Sequence, residues 1–325
     1  MTKGFRIVIS IFFILNSYKS SAQEVFSLFY GPPTPYMNRA NPKPKGDFTK
    51  LVIPLKHVQN LMMIEVSING ESGNLILDTG APYLVLNKTY FRKGATKTDQ
   101  VANGITGPGG DVSTTKVKRL QLQELYFENV EADITNLAQI ENSKGVKVLG
   151  LMGTNLFSEF EVLIDVRSDV LTIFKLNKQG IRLDSSEIYK QADFTIPIDV
   201  RNNIIYIEGN INDKKMRFCF DSGAEVNVLS TKVNKHVLEE FVVQRRSLLV
   251  GSGGQRAEVI SGVVKQVNIG AQNFMTMHTY LTSLVELQRI YDHYFDGILG
   301  YPLMFNGSVS INFKKKEFSM YLYKN

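Results

Sequence analysis

The sequence predicts an all-β protein with two similar lobes, and three observations lead to that prediction. Short apolar runs recur along the chain, separated by glycines and turn residues. The chain has 325 residues, 43% of them hydrophobic, which is enough to build two cores. Its second half also repeats the pattern of the first, over about 130 to 150 residues, whereas solenoid units span only about 20 to 50. The repeat therefore indicates a duplicated domain.

The repeat is clearest at two loops, Asp-Thr-Gly-Ala at residues 78–81 and Asp-Ser-Gly-Ala at residues 221–224. Each loop follows an apolar run. Average residue usage would produce one Asp-Thr/Ser-Gly by chance in about one chain in ten, so a single copy carries little information. The flanking segments carry more information about the repeat, because they lie at matching or nearly matching distances along the sequence from the two aspartates. These segments are residues 53–55 and 196–198, 107–110 and 251–254, and 150–153 and 297–300.

The predicted elements follow the same duplication. Leu61–Ile68 alternates as a strand and ends at Asn69-Gly70, a strong hairpin signal, after which residues 75–77 return to the first aspartate. The second copy does the same through Ile204–Ile211 and the turn that follows it. Helix-like patterns occur only near residues 230–243 and 281–291, so we predict minor helix content.

The N-terminus resembles a secretory signal peptide. Lys3 and Arg6 precede an apolar stretch at residues 7–15, and Ser20-Ser21-Ala22 offers a small-residue cleavage site. That stretch is far shorter than the roughly 18 residues that span a bilayer, and no later segment approaches this length. We therefore expect an exported protein without a membrane span, in the periplasm, at the cell surface or in the medium.

The sequence divides into five predicted parts. A segment rich in proline after the signal peptide indicates an extended arm, with a pro-region as the alternative. A polar, charged stretch between the two copies indicates a linker. The predicted parts are the signal peptide 1–22, the N-terminal arm 23–46, the N-terminal lobe 47–176, the linker 177–192 and the C-terminal lobe 193–325.

Composition excludes several classes of protein. The formal net charge is +6, and removal of residues 1–22 takes away three cations, so the bias is too mild to predict binding to nucleic acid. Cys219 is the only cysteine, and we predict a buried apolar role for it. The four histidines lack metal-ligand spacing, and no Gly-Lys-Ser/Thr follows either glycine cluster. We therefore predict neither a metal nor another cofactor.

The paired aspartates suggest acid–base chemistry. Asp78 and Asp221 each precede a glycine by two residues, where backbone N–H groups can approach a carboxylate without obstruction. If the two copies pack about a pseudo-twofold axis, the two loops meet. Carboxylates held about 3 Å apart cannot both ionise and share one proton. One aspartate can then activate water while the other protonates a peptide carbonyl oxygen, and the titration belongs to the pair.

These motifs resemble those of the pepsin and retropepsin superfamily of aspartic peptidases, over nearly all of the chain from Asp47 to Tyr323. The resemblance implies a bilobal pepsin-like acid-protease fold with two β-barrel-like lobes. It also implies that Asp78 and Asp221 are catalytic. The family's second element, two hydrophobic residues and a glycine, packs beside the aspartate loops and is matched by Leu151, Met152, Gly153, Ile298, Leu299 and Gly300.

The same resemblance assigns supporting roles. Thr79 and Ser222 are expected to hydrogen-bond across to the opposite loop. The residues expected to support the active-site loops are Thr79, Gly80, Ala81, Ser222, Gly223 and Ala224. A glycine-rich hairpin closes over substrate in the family, and two such flaps would be more typical of retropepsins. The flap candidates are Gly107, Gly109, Gly110, Gly251, Gly253 and Gly254.

The sequence also departs from the pepsin pattern. Ala81 and Ala224 stand where pepsin-like enzymes usually carry a hydroxyl that favours the charged aspartate. We therefore predict activity at mildly acidic to near-neutral pH. The family's flap tyrosine has no counterpart at residues 106–111. Pro82 and Glu225 differ between the copies, so we expect the two lobes to shape their halves of the cleft differently.

The sequence therefore predicts an exported aspartic endopeptidase that hydrolyses protein or peptide substrates with a water molecule activated between two aspartates. Both lobes lie in one chain, so we expect a monomer. The alternative is a catalytically silent pepsin-like protein that binds peptides. Intact aspartate motifs in both copies favour the enzyme, since loss of function is expected to remove a catalytic aspartate first.

Overall fold

The computed structural model describes residues 25–27, 39–104, 107–184, 191–251 and 256–324. Strands dominate these residues and form three sheets. Two of the sheets build an N-terminal and a C-terminal lobe, and the third joins them. The prediction of an all-β fold with two lobes and minor helices is confirmed. None of the helices in the described ranges has the length and apolar character needed to cross a bilayer.

The elements are numbered in chain order. The strands are β1 (Val25–Ser27), β2 (Pro44–Lys45), β3 (Lys50–Pro54), β4 (Lys56–Val58), β5 (Leu61–Ile68), β6 (Glu71–Leu77), β7 (Val85–Asn87), β8 (Thr96–Gly104), β9 (Gly107–Leu122), β10 (Leu125–Thr135), β11 (Val148–Met152), β12 (Phe160–Asp165), β13 (Val170–Lys175), β14 (Phe194–Pro197), β15 (Asp199–Arg201), β16 (Ile204–Ile211), β17 (Lys214–Phe220), β18 (Asn227–Ser230), β19 (Phe241–Gly251), β20 (Arg256–Ile269), β21 (Gln272–Thr282), β22 (Gly297–Leu299), β23 (Gly307–Asn312) and β24 (Glu317–Leu322). The helices are α1 (Ala138–Lys144), α2 (Lys235–Leu238), α3 (Val285–Tyr291) and α4 (Tyr301–Met304), with a 3-10 turn at Thr154–Phe157.

The sheet of the N-terminal lobe has the strand order β2-β10-β7-β11-β6-β5-β9-β8, and β4 pairs with β5. Strands β5 and β6 form the hairpin that Asn69-Gly70 predicts. Asn69 has a φ of 53°, which is the left-handed region that asparagine tolerates. Strand β11 runs parallel to β6 with Met152 beside Leu77. This register brings the end of β11 next to Asp78.

The sheet of the C-terminal lobe has the order β1-β19-β20-β21-β18-β22-β17-β16-β15. It repeats the first lobe, because β16 and β17 form a hairpin and β22 runs parallel to β17 with Leu299 beside Phe220. Strand β1, which belongs to the predicted N-terminal arm, pairs parallel to the end of β19. The end of β22 therefore lies next to Asp221, as the end of β11 lies next to Asp78.

The third sheet joins the lobes, in the order β14-β24-β23-β12-β13-β3. At its centre β12 of the N-terminal half pairs antiparallel with β23 of the C-terminal half, for example through Ile164 and Val309. The repeated segments at residues 53–55 and 196–198 overlap the two outermost strands, β3 and β14. One continuous apolar core contains buried side chains from both lobes and from this sheet, so the halves fold against each other.

The prediction of helices near residues 230–243 and 281–291 is only partly right. Strand β18 ends at Ser230, α2 has a single turn capped by the Asn234 side chain, and β19 already begins at Phe241. Pairing with β20 takes residues 241–243 into the sheet, because tertiary pairing overrides weak local helix preference. Helix α3 starts after β21 has ended, and α1 and α4 were not predicted at all.

The domain boundaries stay predictions. Residues 1–22 lie outside the described residues, as do residues 185–190 of the predicted linker. The described end of the predicted arm is attached to the N-terminal lobe, since β2 pairs with β10. Arg39 adds a buried ion pair to Asp133, with 2.6 Å between Nη2 and Oδ1. This end of the arm is therefore part of the folded lobe.

Candidate active site

The two aspartates leave the ends of equivalent strands. Asp78 follows β6 and its amide donates to the carbonyl of Met152, at 3.2 Å. Asp221 follows β17 and its amide donates to the carbonyl of Leu299, at 2.9 Å. The strands that contain Leu151, Met152, Ile298 and Leu299 thus lie directly beside the two aspartate loops, where they fix the start of each loop.

The residues after the second glycine motif hold the other end of each loop. These residues are Thr154 after Gly153 and Tyr301 after Gly300. The amide of Thr154 donates to the carbonyl of Ala81 at 2.9 Å, and that of Tyr301 donates to the carbonyl of Ala224 at 2.8 Å. Each aspartate loop is therefore held at both ends by its own lobe.

The two loops also exchange hydrogen bonds with each other. The amide of Thr79 donates to the hydroxyl of Ser222 at 3.0 Å, and the amide of Ser222 donates to the hydroxyl of Thr79 at 2.8 Å. Each hydroxyl in turn donates across the interface, Thr79 to the carbonyl of Phe220 and Ser222 to that of Leu77, at 3.0 and 2.9 Å. All four bonds are buried, so they fix one loop relative to the other.

Glycine allows the carboxyl groups to approach the opposite loop. A Cβ atom on Gly80 would lie 2.3 Å from Oδ2 of Asp221, and one on Gly223 would lie 2.7 Å from Cγ of Asp78. Backbone amides also hold the carboxylates. Oδ1 of Asp78 accepts from the amides of Gly80 (3.0 Å) and Ala81 (3.1 Å), and Oδ1 of Asp221 accepts from Gly223 (2.8 Å).

Burial dominates the electrostatics of the pair. It raises the pKa of Asp221 from 3.8 to about 6, although the amide of Gly223 opposes the shift. Burial, followed by the nearby charge of Asp221, raises the pKa of Asp78 well above its ordinary value. Each carboxyl group packs against the glycine of the opposite loop, so the charge of one acts on the other. The pair therefore retains one proton at a pH where an exposed pair would have lost both.

The site is closed in this structure. Asp78 and Asp221 are both 0% exposed. Their Oδ2 atoms are buried and have no hydrogen-bond partner in the described part of the chain. Strand β8 of the N-terminal lobe lies against α3 of the C-terminal lobe, so a hairpin of one lobe contacts the other. A substrate could reach the aspartates only after a covering segment moves.

The flap candidates lie on two matching hairpins. Gly107, Gly109 and Gly110 open β9 at the tip of the β8–β9 hairpin, where Gly107 pairs with Gly104. Gly251 ends β19, which forms the equivalent hairpin with β20. Gly253 and Gly254 lie outside the described residues. Their role as flaps stays a prediction.

Two residues near the loops, Lys144 and Tyr291, were missed by the sequence reasoning, which named Glu225 but not its partner. Lys144 ends α1 and donates from Nζ to the Glu225 carboxylate at 2.7 Å, with both side chains buried. Tyr291 ends α3 and donates its hydroxyl to the carbonyl of Gly80 at 3.0 Å. A signal was present, because Lys144 and Tyr291 stand equally far before Gly153 and Gly300 in the repeat.

Cys219 takes no part in the hydrogen bonding that holds the loops. Its side chain is 1% exposed, and it forms no disulfide. Burial raises the pKa of the thiol well above its ordinary value, so the thiol stays neutral. Cys219 therefore packs as a small apolar residue beneath the site.

Comparison with known proteins agrees with this geometry. A family model described as "Aspartyl protease" matches residues 64–156 and 207–303, and each match contains one aspartate loop and one glycine motif. The fold is similar to that of an aspartic proteinase from Irpex lacteus, with a TM-score of 0.50 and 11% identity. This similarity covers 85% of the chain and 98% of the fungal protein. No curated protein sequence matches the chain. The two family matches span more than half of the chain, which therefore belongs to the aspartyl protease family and has its pepsin-like fold.

Proposed function

We propose that the protein is an aspartic endopeptidase that hydrolyses peptide bonds with a water molecule activated between Asp78 and Asp221. One observation carries the proposal. Each carboxyl group packs against the glycine of the opposite loop, and the two loops are fixed to each other by four buried bonds. Such a pair holds one proton and one negative charge, which are the acid and the base that hydrolysis requires.

The chemistry follows from the shared proton. The ionised carboxylate accepts a proton from water as the oxygen attacks the peptide carbonyl carbon, and the protonated carboxyl donates its proton to the carbonyl oxygen. The resulting tetrahedral intermediate then gives one hydroxyl proton back to the ionised carboxylate as its C–N bond breaks, and the carboxyl group that took a proton from water passes that proton to the leaving nitrogen. General acid–base assistance of this kind contributes about 10² to 10⁴ in rate. Rigid positioning adds to that factor because the groups are already oriented.

The proposal requires an open state. Both aspartates are 0% exposed, so the β8–β9 and β19–β20 hairpins are the segments that we propose to open for an extended peptide. Closure after binding would exclude bulk water and complete the site, as lids do in many enzymes. The same burial raises the pKa of Asp221 to about 6, which favours activity at mildly acidic to neutral pH.

The burial also favours a second candidate, a catalytically silent member of the family that binds peptides. If the covering segments do not open, water and substrate cannot reach the aspartates. The intact pair argues for the enzyme, because a silent protein has no need to bury two carboxyl groups whose ionisation costs stability.

Mass spectrometry of a mixed peptide library, incubated with the purified protein from pH 3 to 8, distinguishes the two. We expect cleavage by the wild type, its inhibition by a pepstatin-type inhibitor, and its loss in Asp78→Asn and Asp221→Asn. Asp213→Asn is the matched control, because Asp213 is an exposed turn residue. Equal cleavage by the wild type and both active-site variants would rule out catalysis by this pair. Absence of cleavage together with peptide binding would establish the silent protein.

Export and a monomeric state are further proposals, as is an N-terminal arm that stays attached, with a removable pro-region as the alternative. They are supported by the predicted signal peptide at residues 1–22 and by the presence of both lobes in one chain. N-terminal sequencing of the protein recovered from cells, before and after acid treatment, would locate the processed ends. Because Arg39 forms a buried ion pair with the N-terminal lobe, we expect any processing to end before residue 39.

A further inference from the structure

Tyr291 connects the C-terminal lobe to the aspartate loop of the N-terminal lobe. It is the last residue of α3, its side chain is 1% exposed, and its hydroxyl donates to the carbonyl of Gly80 at 3.0 Å. This hydroxyl lies on neither aspartate loop and belongs to neither glycine motif. It nevertheless bonds to the segment that holds Asp78.

The acceptor of this bond belongs to a peptide unit that contacts Asp78. The carbonyl of Gly80 and the amide of Ala81 form one peptide group, and that amide donates to Oδ1 of Asp78 at 3.1 Å. A hydrogen bond to the oxygen of a peptide polarises the group and strengthens its N–H as a donor. The hydroxyl of Tyr291 is therefore linked through one peptide to the carboxylate of Asp78.

The other lobe uses different chemistry at the equivalent position. Lys144 ends α1 as Tyr291 ends α3, and it also reaches the opposite aspartate loop. It does so with an ammonium group, which donates to the carboxylate of Glu225. Glu225 follows the second loop where Pro82 follows the first. The loop of the N-terminal lobe is thus supported from the opposite lobe by a neutral hydrogen bond, whereas the residue that follows the loop of the C-terminal lobe is held by a buried ion pair.

We propose that Tyr291 is a positioning residue that stabilises the charged form of Asp78 through the Gly80–Ala81 peptide. We call this transmission from the Tyr291 hydroxyl through the Gly80–Ala81 peptide to Asp78 the relay. The relay depends only on these contacts, whereas its effect on turnover rests on the proposed peptidase function. Strengthening the Ala81 donor favours the ionised carboxylate. Removal of the hydroxyl should therefore make Asp78 harder to ionise.

Few other titratable groups lie close enough to Asp78 to shift its titration. Asp221 faces it from the opposite loop, and Cys219 of β17 and Tyr291 of α3 lie near the pair, whereas Tyr206 of β16 lies beside Cys219. Burial raises the pKa of Cys219 and of both tyrosines above their ordinary values, so these three groups remain neutral while the aspartates titrate. Asp221 is then the titrating neighbour, and its side chain is unchanged by a substitution at Tyr291.

The test compares two tyrosines of the same buried cluster in the full-length protein. Tyr291→Phe removes the hydroxyl that bonds to Gly80. Tyr206→Phe is the matched control, because Tyr206 is 2% exposed and its hydroxyl has no hydrogen-bond partner within the described residues. The readout is the pH titration of the Asp78 carboxyl ¹³C resonance, which is assigned by its loss in Asp78→Asn.

Tyr291→Phe should move the titration of Asp78 upward by up to about half a pH unit. This is the shift expected if the Tyr291 hydroxyl strengthens the charge-assisted hydrogen bond from the Ala81 amide to Asp78 by about 10 to 30%, and the substitution removes that strengthening. Tyr206→Phe should leave it unchanged. Replacement of Tyr291 by 3-fluorotyrosine, a stronger donor of nearly the same shape, should move it downward. This opposite shift keeps the test valid if Tyr291→Phe folds poorly. In the peptide assay, Tyr291→Phe should lower kcat several-fold, leave KM nearly unchanged and shift the pH profile upward.

Equal titrations of Asp78 in the wild type, Tyr291→Phe and the 3-fluorotyrosine protein would overturn the relay. A shift of the same size in Tyr206→Phe would also overturn it, because the cause would then be general loosening of the cluster. A wild type without peptidase activity would refute the proposed function, but the carboxyl titration would still decide the relay.

Discussion

The burial of the aspartate pair predicts that the free energy of unfolding depends on pH, and Asp221→Asn tests this prediction. Burial raises the pKa of Asp221 from 3.8 to about 6 in the folded protein. A group with a raised folded pKa contributes stability that is fully present below its unfolded pKa and is lost as the pH rises through the folded value. The wild type should therefore lose stability between about pH 4 and 6.

Asparagine keeps the shape of the side chain but does not ionise. At about 1.4 kcal/mol per pKa unit, the change from 3.8 to about 6 corresponds to about 3 kcal/mol. Asp221→Asn should thus gain about 3 kcal/mol in unfolding free energy over the wild type between pH 3.5 and pH 7.5. Asp78 adds to this gain, because without a charged neighbour it ionises at lower cost than in the wild type.

Urea unfolding followed by circular dichroism at both pH values measures the effect, since the chain has no tryptophan to report by fluorescence. Asp213→Asn removes an exposed carboxylate and should stay within about 0.5 kcal/mol of the wild type at both pH values. If Asp221→Asn differs from the wild type by the same amount at pH 3.5 and 7.5, the argument that a buried charge is costly here is wrong.

Three further predictions follow from neighbouring contacts. Lys144→Met should destabilise the protein by about 3 to 5 kcal/mol in thermal unfolding, because the buried Glu225 carboxylate loses its ammonium partner, and Lys144→Met/Glu225→Leu should recover most of the loss. A melting temperature unchanged in the single variant would contradict this. Gly80→Ala should lower peptide cleavage by at least about 10²-fold, because its Cβ would lie 2.3 Å from Asp221 Oδ2; near-normal cleavage would show that the loops can separate. In the wild type, kcat/KM should rise with pH towards about 6 as one aspartate ionises, and fall at higher pH when the second proton leaves; a maximum below about pH 3 would refute this.

Much of the fold was predictable from local patterns. The prediction of the β5–β6 hairpin was correct because Asn69-Gly70 adopts a turn that few other residue pairs tolerate. The helix prediction near residues 230–243 failed because local preference there is weak, and pairing with β20 supplies hydrogen bonds that a short helix lacks. Similarly, α1 was missed because a helix of seven residues is stabilised by packing rather than by its own sequence.

The sequence by itself determined the duplication and the two aspartate loops, because matching or nearly matching spacing around Asp78 and Asp221 is a one-dimensional property of the chain. Only the tertiary structure decided which side chains cross between the lobes. Lys144 and Tyr291 occupy equivalent places in the repeat, yet one forms a buried ion pair and the other bonds to a backbone carbonyl. Contacts between residues more than 80 positions apart depend on how the two lobes pack, and no local pattern encodes that packing.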